Sequence, residues 1–80
     1  MEKDKINIFV KLIGNDFSMN VNKNLYTALE EIKGAVKKKK SYSNYIIYLN
    51  NKFIGKIQKN DEVVISPGDI FLIIPILGGG

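Results

Sequence analysis

Residues 70–74, Ile-Phe-Leu-Ile-Ile, are apolar at every position. A strand with no polar parity has no face to give to water. It belongs in the middle of a sheet, buried on both faces, or covered by a helix on one and a loop on the other. Ser66-Pro67-Gly68-Asp69 just before it is a strong turn signal, which sets the strand start at Ile70. The other strongly apolar stretch lies near the opposite end. There Ile6, Ile8, Val10 and Leu12 alternate with Asn7, Phe9, Lys11 and Ile13. This is the period of a strand with one fully apolar face, and Phe9 and Ile13 suggest partial cover on the second face as well. The two most apolar strands are expected side by side at the sheet centre. A parallel pairing between them fits a helix packed across one sheet face.

The intervening residues supply the remaining elements. Gly14-Asn15 is expected to turn a tight hairpin, because both residues tolerate positive φ. The second strand carries Phe17, Met19 and Val21 on one face and Asp16, Ser18, Asn20 and Asn22 on the other, the clean alternation of an edge strand. Asn24 is positioned to cap a helix. Leu25, Leu29, Ile32 and Val36, flanked by Ala28 and Ala35, make one apolar stripe. Gly34 weakens this helix, so its end is expected between Lys33 and Lys39. Residues 45–49 read as a strand, Asn50-Asn51 as a turn, and Lys52-Phe53-Ile54 as a short returning strand. Gly55 to Asn60 is polar connection, and Val63-Val64-Ile65 is a short extended piece. Together these predict one α+β domain over residues 1–77 of the β-grasp kind, a mixed four- to five-stranded sheet with one main helix packed across one face. Residues 78–80 form a separate flexible tail.

Composition removes most chemistries. The 80 residues contain no Cys and no His, which excludes disulfides, a thiolate nucleophile and the commonest general base and metal ligand. Ser18, Ser41, Ser43, Ser66 and Thr27 therefore lack a histidine to activate them. The acids are scattered, so no metal site is expected, and Asp61-Glu62 read as solvent-facing turn residues. No bound cofactor and no catalytic residue within the chain are expected. The longest apolar run is strand-sized, which predicts no membrane span, and the absence of disulfides points to the cytoplasm. The net charge of +4 is concentrated in Lys37-Lys38-Lys39-Lys40. That run reads as a solvated helix end complementing the helix dipole, or as a docking patch for an acidic partner. Tyr42 and Tyr45 alone are weak support for nucleic-acid binding.

The chemically distinctive feature is the tail Pro75-Ile76-Leu77-Gly78-Gly79-Gly80. Glycine is about 7% of average sequence, so a Gly-Gly ending arises by chance in roughly 0.5% of chains. A linker or loose end is the plain alternative. These glycines instead follow an apolar strand directly. With no Cβ they can thread a narrow channel and adopt backbone angles closed to other residues. A carboxylate there becomes reactive once a partner converts it with ATP to an acyl-adenylate, open to a sulfur or nitrogen nucleophile. Without cysteine, a thiocarboxylate on Gly80 is the only covalent place where this chain could carry sulfur.

These residues resemble the ThiS/MoaD family of ubiquitin-like sulfur carriers. The resemblance is sharpest over Ser66 to Gly80, where Gly68-Asp69, the apolar strand, Pro75 and Gly79-Gly80 fall in the family's order. Leu49-Asn50-Asn51-Lys52 resembles a family turn. Ile76 and Gly78 depart from the second proline and the alanine usual in molybdopterin-synthase small subunits; the short hairpin around Gly14-Asn15 is closer to thiamine-type carriers, whereas the 80-residue length is closer to molybdopterin-type ones. The resemblance implies that an E1-like adenylating enzyme activates Gly80 using ATP, with Gly78 and Gly79 giving access. A sulfurtransferase persulfide then displaces AMP, and the thiocarboxylate donates sulfur on a synthase subunit in molybdopterin or thiamine (thiazole) biosynthesis. Phe53, Pro75, Ile76 and Leu77 are candidates for docking, although each also reads as ordinary core. A protein modifier conjugated through Gly80 to target lysines, and a binding module without tail chemistry, are the competing readings.

Overall fold

The computed structural model describes residues 4–40, 42, 44–55 and 57–76. The chain forms β1 (Lys5–Leu12), β2 (Asn15–Asn22), α1 (Leu25–Lys39), β3 (Tyr45–Leu49), β4 (Lys52–Ile54) and β5 (Ile70–Pro75). The strands make one mixed sheet in the order β2-β1-β5-β3-β4. β5 is the middle strand, parallel to β1 and antiparallel to β3. The two most apolar strands are thus neighbours at the centre, as their patterns require, and β2 is an edge.

One layer of side chains joins sheet and helix. Ile8, Val10 and Leu12 of β1, Val21 of β2, Ile47 of β3, and Phe71 and Ile73 of β5 are buried with Leu25, Ala28, Leu29, Ile32 and Val36 of α1. The helix stripe needs all these positions, and none of them is polar. Asn24 is extended and accepts the Thr27 N–H at 3.1 Å, so the cap forms as its residue type demands. At the other end three lysines occupy the last turn, and the Lys40 N–H closes on the Val36 carbonyl. The helix runs through Gly34 to the far limit of the expected range. A Cβ at Gly34 would meet no atom within 4 Å. Gly34→Ala is accordingly expected to stabilise the fold by about 0.5–1 kcal/mol, read as a higher urea midpoint with unchanged slope.

Residues 63–65 extend the helix side of the domain. Leu25 N–H donates to Val63 O, and Ile65 N–H donates to Lys23 O, both at 2.8 Å. Ile65 thereby enters the core, while Val64 remains outside.

Three expectations are corrected. The first hairpin turns on Ile13-Gly14, since Leu12 pairs with Asn15. Only Gly14 has positive φ, +75°, and one left-handed residue at the second turn position is the type II pattern. Asn15 therefore begins the strand. Secondly, Phe9 is 47% and Ile13 67% exposed, so β1 is covered on one face only. Thirdly, β5 is central but not buried on both faces. Phe71 and Ile73 are fully buried, whereas Ile70 is exposed and Leu72 and Ile74 are half-buried. The reason is common to both strands: a single helix covers one sheet face. Strand β5 also continues one residue further than expected, through Pro75, which pairs with Tyr45 of β3.

Candidate functional site

The tail begins where β5 ends, and the hydrogen bonds around β5 fix that point. Its start is tied on both sides. Gly68 N–H donates to Asn7 O and Phe9 N–H to Asp69 O, both at 2.9 Å, on the β1 side. On the β3 side, Asn50 N–H donates to Ile70 O at 2.8 Å. The Asn50 side chain completes the tie: its Oδ1 accepts the Ile70 N–H at 2.9 Å, and its Nδ2 donates to Asp69 Oδ1 at 3.1 Å. The turn before β5 is closed locally by Ser66 N–H on Asp69 Oδ2, at 2.9 Å. At the far end, Ile76 N–H donates to Asn44 O at 3.0 Å. Backbone pairing therefore holds the chain up to Ile76. Leu77, Gly78, Gly79 and Gly80, the remaining candidates for docking, access and attachment, lie outside the described residues.

Asn50 and Asn51 have φ of 50° and 70°, the type I′ pair that a two-residue hairpin between β3 and β4 requires. Their residue types reveal the turn. The grip of Asn50 on β5 is long-range, and no local pattern announces it. Asn50→Ala is expected to cost about 2–3 kcal/mol, combining left-handed strain with two lost hydrogen bonds. Asn50→Gly keeps the angle and should cost about 1 kcal/mol less. Urea denaturation of the three proteins checks the order.

The uncovered face of the sheet is the second part of the site. The registers place its side chains in rows. Ser18, Phe9 and Ile70 form one row; Asp16, Lys11, Leu72, Tyr48 and Phe53 form the next; Ile74 and Ile46 form a third. Ile70, Leu72 and Ile74 alternate outward along β5, and Ile76, bonded just past its end, is exposed too, so apolar residues continue from the sheet centre to Ile76. Phe53 is 57% and Ile76 56% exposed. The Phe53 ring stands edge-on to Tyr48 with centroids 5.9 Å apart.

Of the candidate docking residues, Phe53 and Ile76 share this face and are exposed, which overturns their reading as core. They are separated by the Ile46–Ile74 row. Pro75 follows the parity of Phe71 and Ile73 and is half-buried toward the helix side, so it does not join them. Phe9, Ile46, Tyr48, Leu72 and Ile74 complete the face and were not singled out by sequence reasoning. The available signal was apolar residues at both parities of two strands in a chain with only one helix.

A mostly apolar cleft of about 390 Å³ opens between α1 and the β3–β4 end of the sheet, lined by residues that include Leu29, Lys33, Tyr45, Ile46, Phe53 and Ile57. Burial raises the Tyr45 phenol above its ordinary range, with the Glu30 carboxylate adding to the effect. Among the described residues no cluster of acids is placed to hold a metal ion, and no helix is long and apolar enough to cross a membrane. In comparisons with known proteins, no family model, no curated protein and no solved structure matched the chain.

Proposed function

We propose that the chain is a β-grasp sulfur carrier whose Gly80 carboxylate is adenylated by an E1-like enzyme and converted to a thiocarboxylate. The observation that carries this reading is the direct succession of parts. A central strand, bonded on both sides and held through Ile76, is followed in the sequence by Leu77 and then Gly78-Gly79-Gly80. Such a strand gives the tail a rigid base, and the three glycines give it the slimness needed to enter a partner's active site. The five-stranded sheet with one helix, and the parallel pairing of its first and last strands, are compatible with that fold.

The chemistry divides between carrier and partners. The Gly80 carboxylate attacks the α-phosphorus of ATP on the activating enzyme and pyrophosphate leaves. A persulfide sulfur of a sulfurtransferase then attacks the acyl carbon and AMP leaves. Reductive cleavage of the acyl disulfide by a thiol leaves the thiocarboxylate on Gly80. A synthase subunit would take the sulfur into a molybdopterin or thiazole precursor. The outer sheet face, with Phe9, Leu72, Tyr48, Phe53 and Ile76, supplies the apolar area on which an activating enzyme can seat the carrier beside the tail.

The reading requires a free carboxylate on Gly80, and the intact mass of the protein from its native source tests this first. Incubation with ATP, cognate adenylating enzyme and a persulfide donor is then expected to replace one oxygen by sulfur in the intact mass. An unchanged mass with cognate partners overturns the reading. A ladder of conjugates dependent on Gly80 would show protein modification instead.

A further inference from the structure

The hairpin register assigns the backbone groups of β2 one by one. Lys23 N–H donates to Asp4 O at 3.0 Å, toward β1. In an antiparallel pair, residues alternate between exchanging both bonds with the partner and directing both away. Phe17, Met19 and Val21 therefore bond to β1, whereas Asp16, Ser18, Asn20 and Asn22 direct N–H and C=O out of the sheet. The parity agrees on β1, where Asn7 and Phe9, opposite Asn20 and Ser18, spend their outward groups on Gly68 and Asp69. At Asn22 the outward N–H is taken by the Glu31 carboxylate at 2.9 Å. Asp16, Ser18 and Asn20 have no such backbone partner among the described residues.

Proteins usually blunt a sheet edge with proline, lysine, a bulge or short length. β4, the opposite edge, is three residues long and carries Lys52. β2 is eight residues long, has no proline or lysine, and runs in unbroken register. Beside it, Lys39 Nζ stands 4.7 Å above the centre of the Phe17 ring. Lys37, Lys38 and Lys39 form the last helical turn, and none of them is in an ion pair among the described residues. A depression of about 320 Å³, lined by Phe9, Lys11, Asp16, Phe17 and Ser18, opens at the same end of the edge.

We propose that β2 receives an added strand from an acidic, extended segment of a partner protein, paired through Asp16, Ser18 and Asn20, with its carboxylates on Lys37–Lys39. Main-chain pairing supplies the grip, and the lysines select the charge. A second copy joined β2 to β2 would bring two lysine runs onto one face, so charge favours an acidic partner. Nucleic acid would use the lysines and leave the edge amides unpaired. This inference stands on the edge and the helix end and is independent of tail chemistry.

The test uses the full chain, isotope-labelled, and a short synthetic peptide of alternating valine and threonine ending in a run of aspartates. Amide exchange at Ser18 and Asn20 is expected to slow by about tenfold or more on saturation, because pairing must open before exchange. Lys37→Glu, Lys38→Glu and Lys39→Glu together should weaken binding by about tenfold, and added salt should do the same. Ser18→Pro keeps the bonds to β1, since its N–H faces outward, and should abolish the protection. A peptide N-methylated along its paired edge should fail equally with the unaltered protein. No protection at Ser18 and Asn20 up to the peptide's solubility limit would overturn the proposal. So would binding confined to Phe9, Leu72 and Phe53, dimerisation without peptide, or a single-stranded oligonucleotide that binds the lysines while the edge amides stay open.

Discussion

Deleting Gly80, or extending the chain beyond it, is expected to abolish thiocarboxylate formation completely while leaving the urea midpoint unchanged. The two readouts separate because, among the described residues, the backbone bonds that hold β5 and the buried side chains of the core all precede Gly80, the last of them at Ile76 and Ile73. Substitution on the docking face should behave differently. Phe53→Ala and Ile76→Ala each remove exposed apolar area and should slow adenylation at limiting enzyme by about tenfold, with recovery at high carrier concentration. Substitutions at Gly78 and Gly79 by valine should also impair the adenylation step, and high carrier concentration should not restore it, because access to the partner's site is what they block. Mass spectrometry of carrier charged over a range of concentrations distinguishes these three patterns.

The second large effect is on stability. Phe71→Ala is expected to cost about 3–5 kcal/mol, which is a large part of the stability of a domain this small. Phe71 is fully buried near the start of the central strand, between Val10 of β1 and Leu49 of β3 in the register. Its removal leaves a cavity that a sheet bonded on both sides cannot collapse to fill. Leu72→Ala, the next residue, lies half-buried on the open face and should cost about half as much or less. Urea unfolding of the two variants measures the difference between the two faces of one strand.

That difference marks the limit of what could be read from residue pattern. The helix with its Asn24 cap, the Asn50-Asn51 turn, the Gly68-Asp69 turn and the central place of β5 all follow from local residue chemistry and hydrophobic period. Pairing of the first and last strands follows from their shared apolarity. An apolar residue, however, looks the same in a sequence whether it faces a helix or an uncovered surface. Ile70 and Leu72 therefore read as core, Phe9 as partly covered and Phe53 as either core or docking surface, and only the presence of one helix against two sheet faces could have argued otherwise. The Asn50 side chain's hold on Ile70 and the open amides of β2 depend on register between distant strands. The shift of the first turn from Gly14-Asn15 to Ile13-Gly14 is a smaller instance of the same limit, since one glycine suffices for the observed turn.

The parallel pairing of β1 with β5 has a consequence for how the chain is made. Phe9 meets Ile70 across about sixty intervening residues, a closure that is slow and entropically costly until the last strand arrives. Before β5 has left the ribosome, β1 lacks its neighbour on one side and β3 has only the three-residue β4. A nascent or prematurely terminated chain thus offers proteases an open, apolar sheet. A folded copy is one in which synthesis has passed Pro75, so the fold itself certifies that the residues leading into the tail have been made.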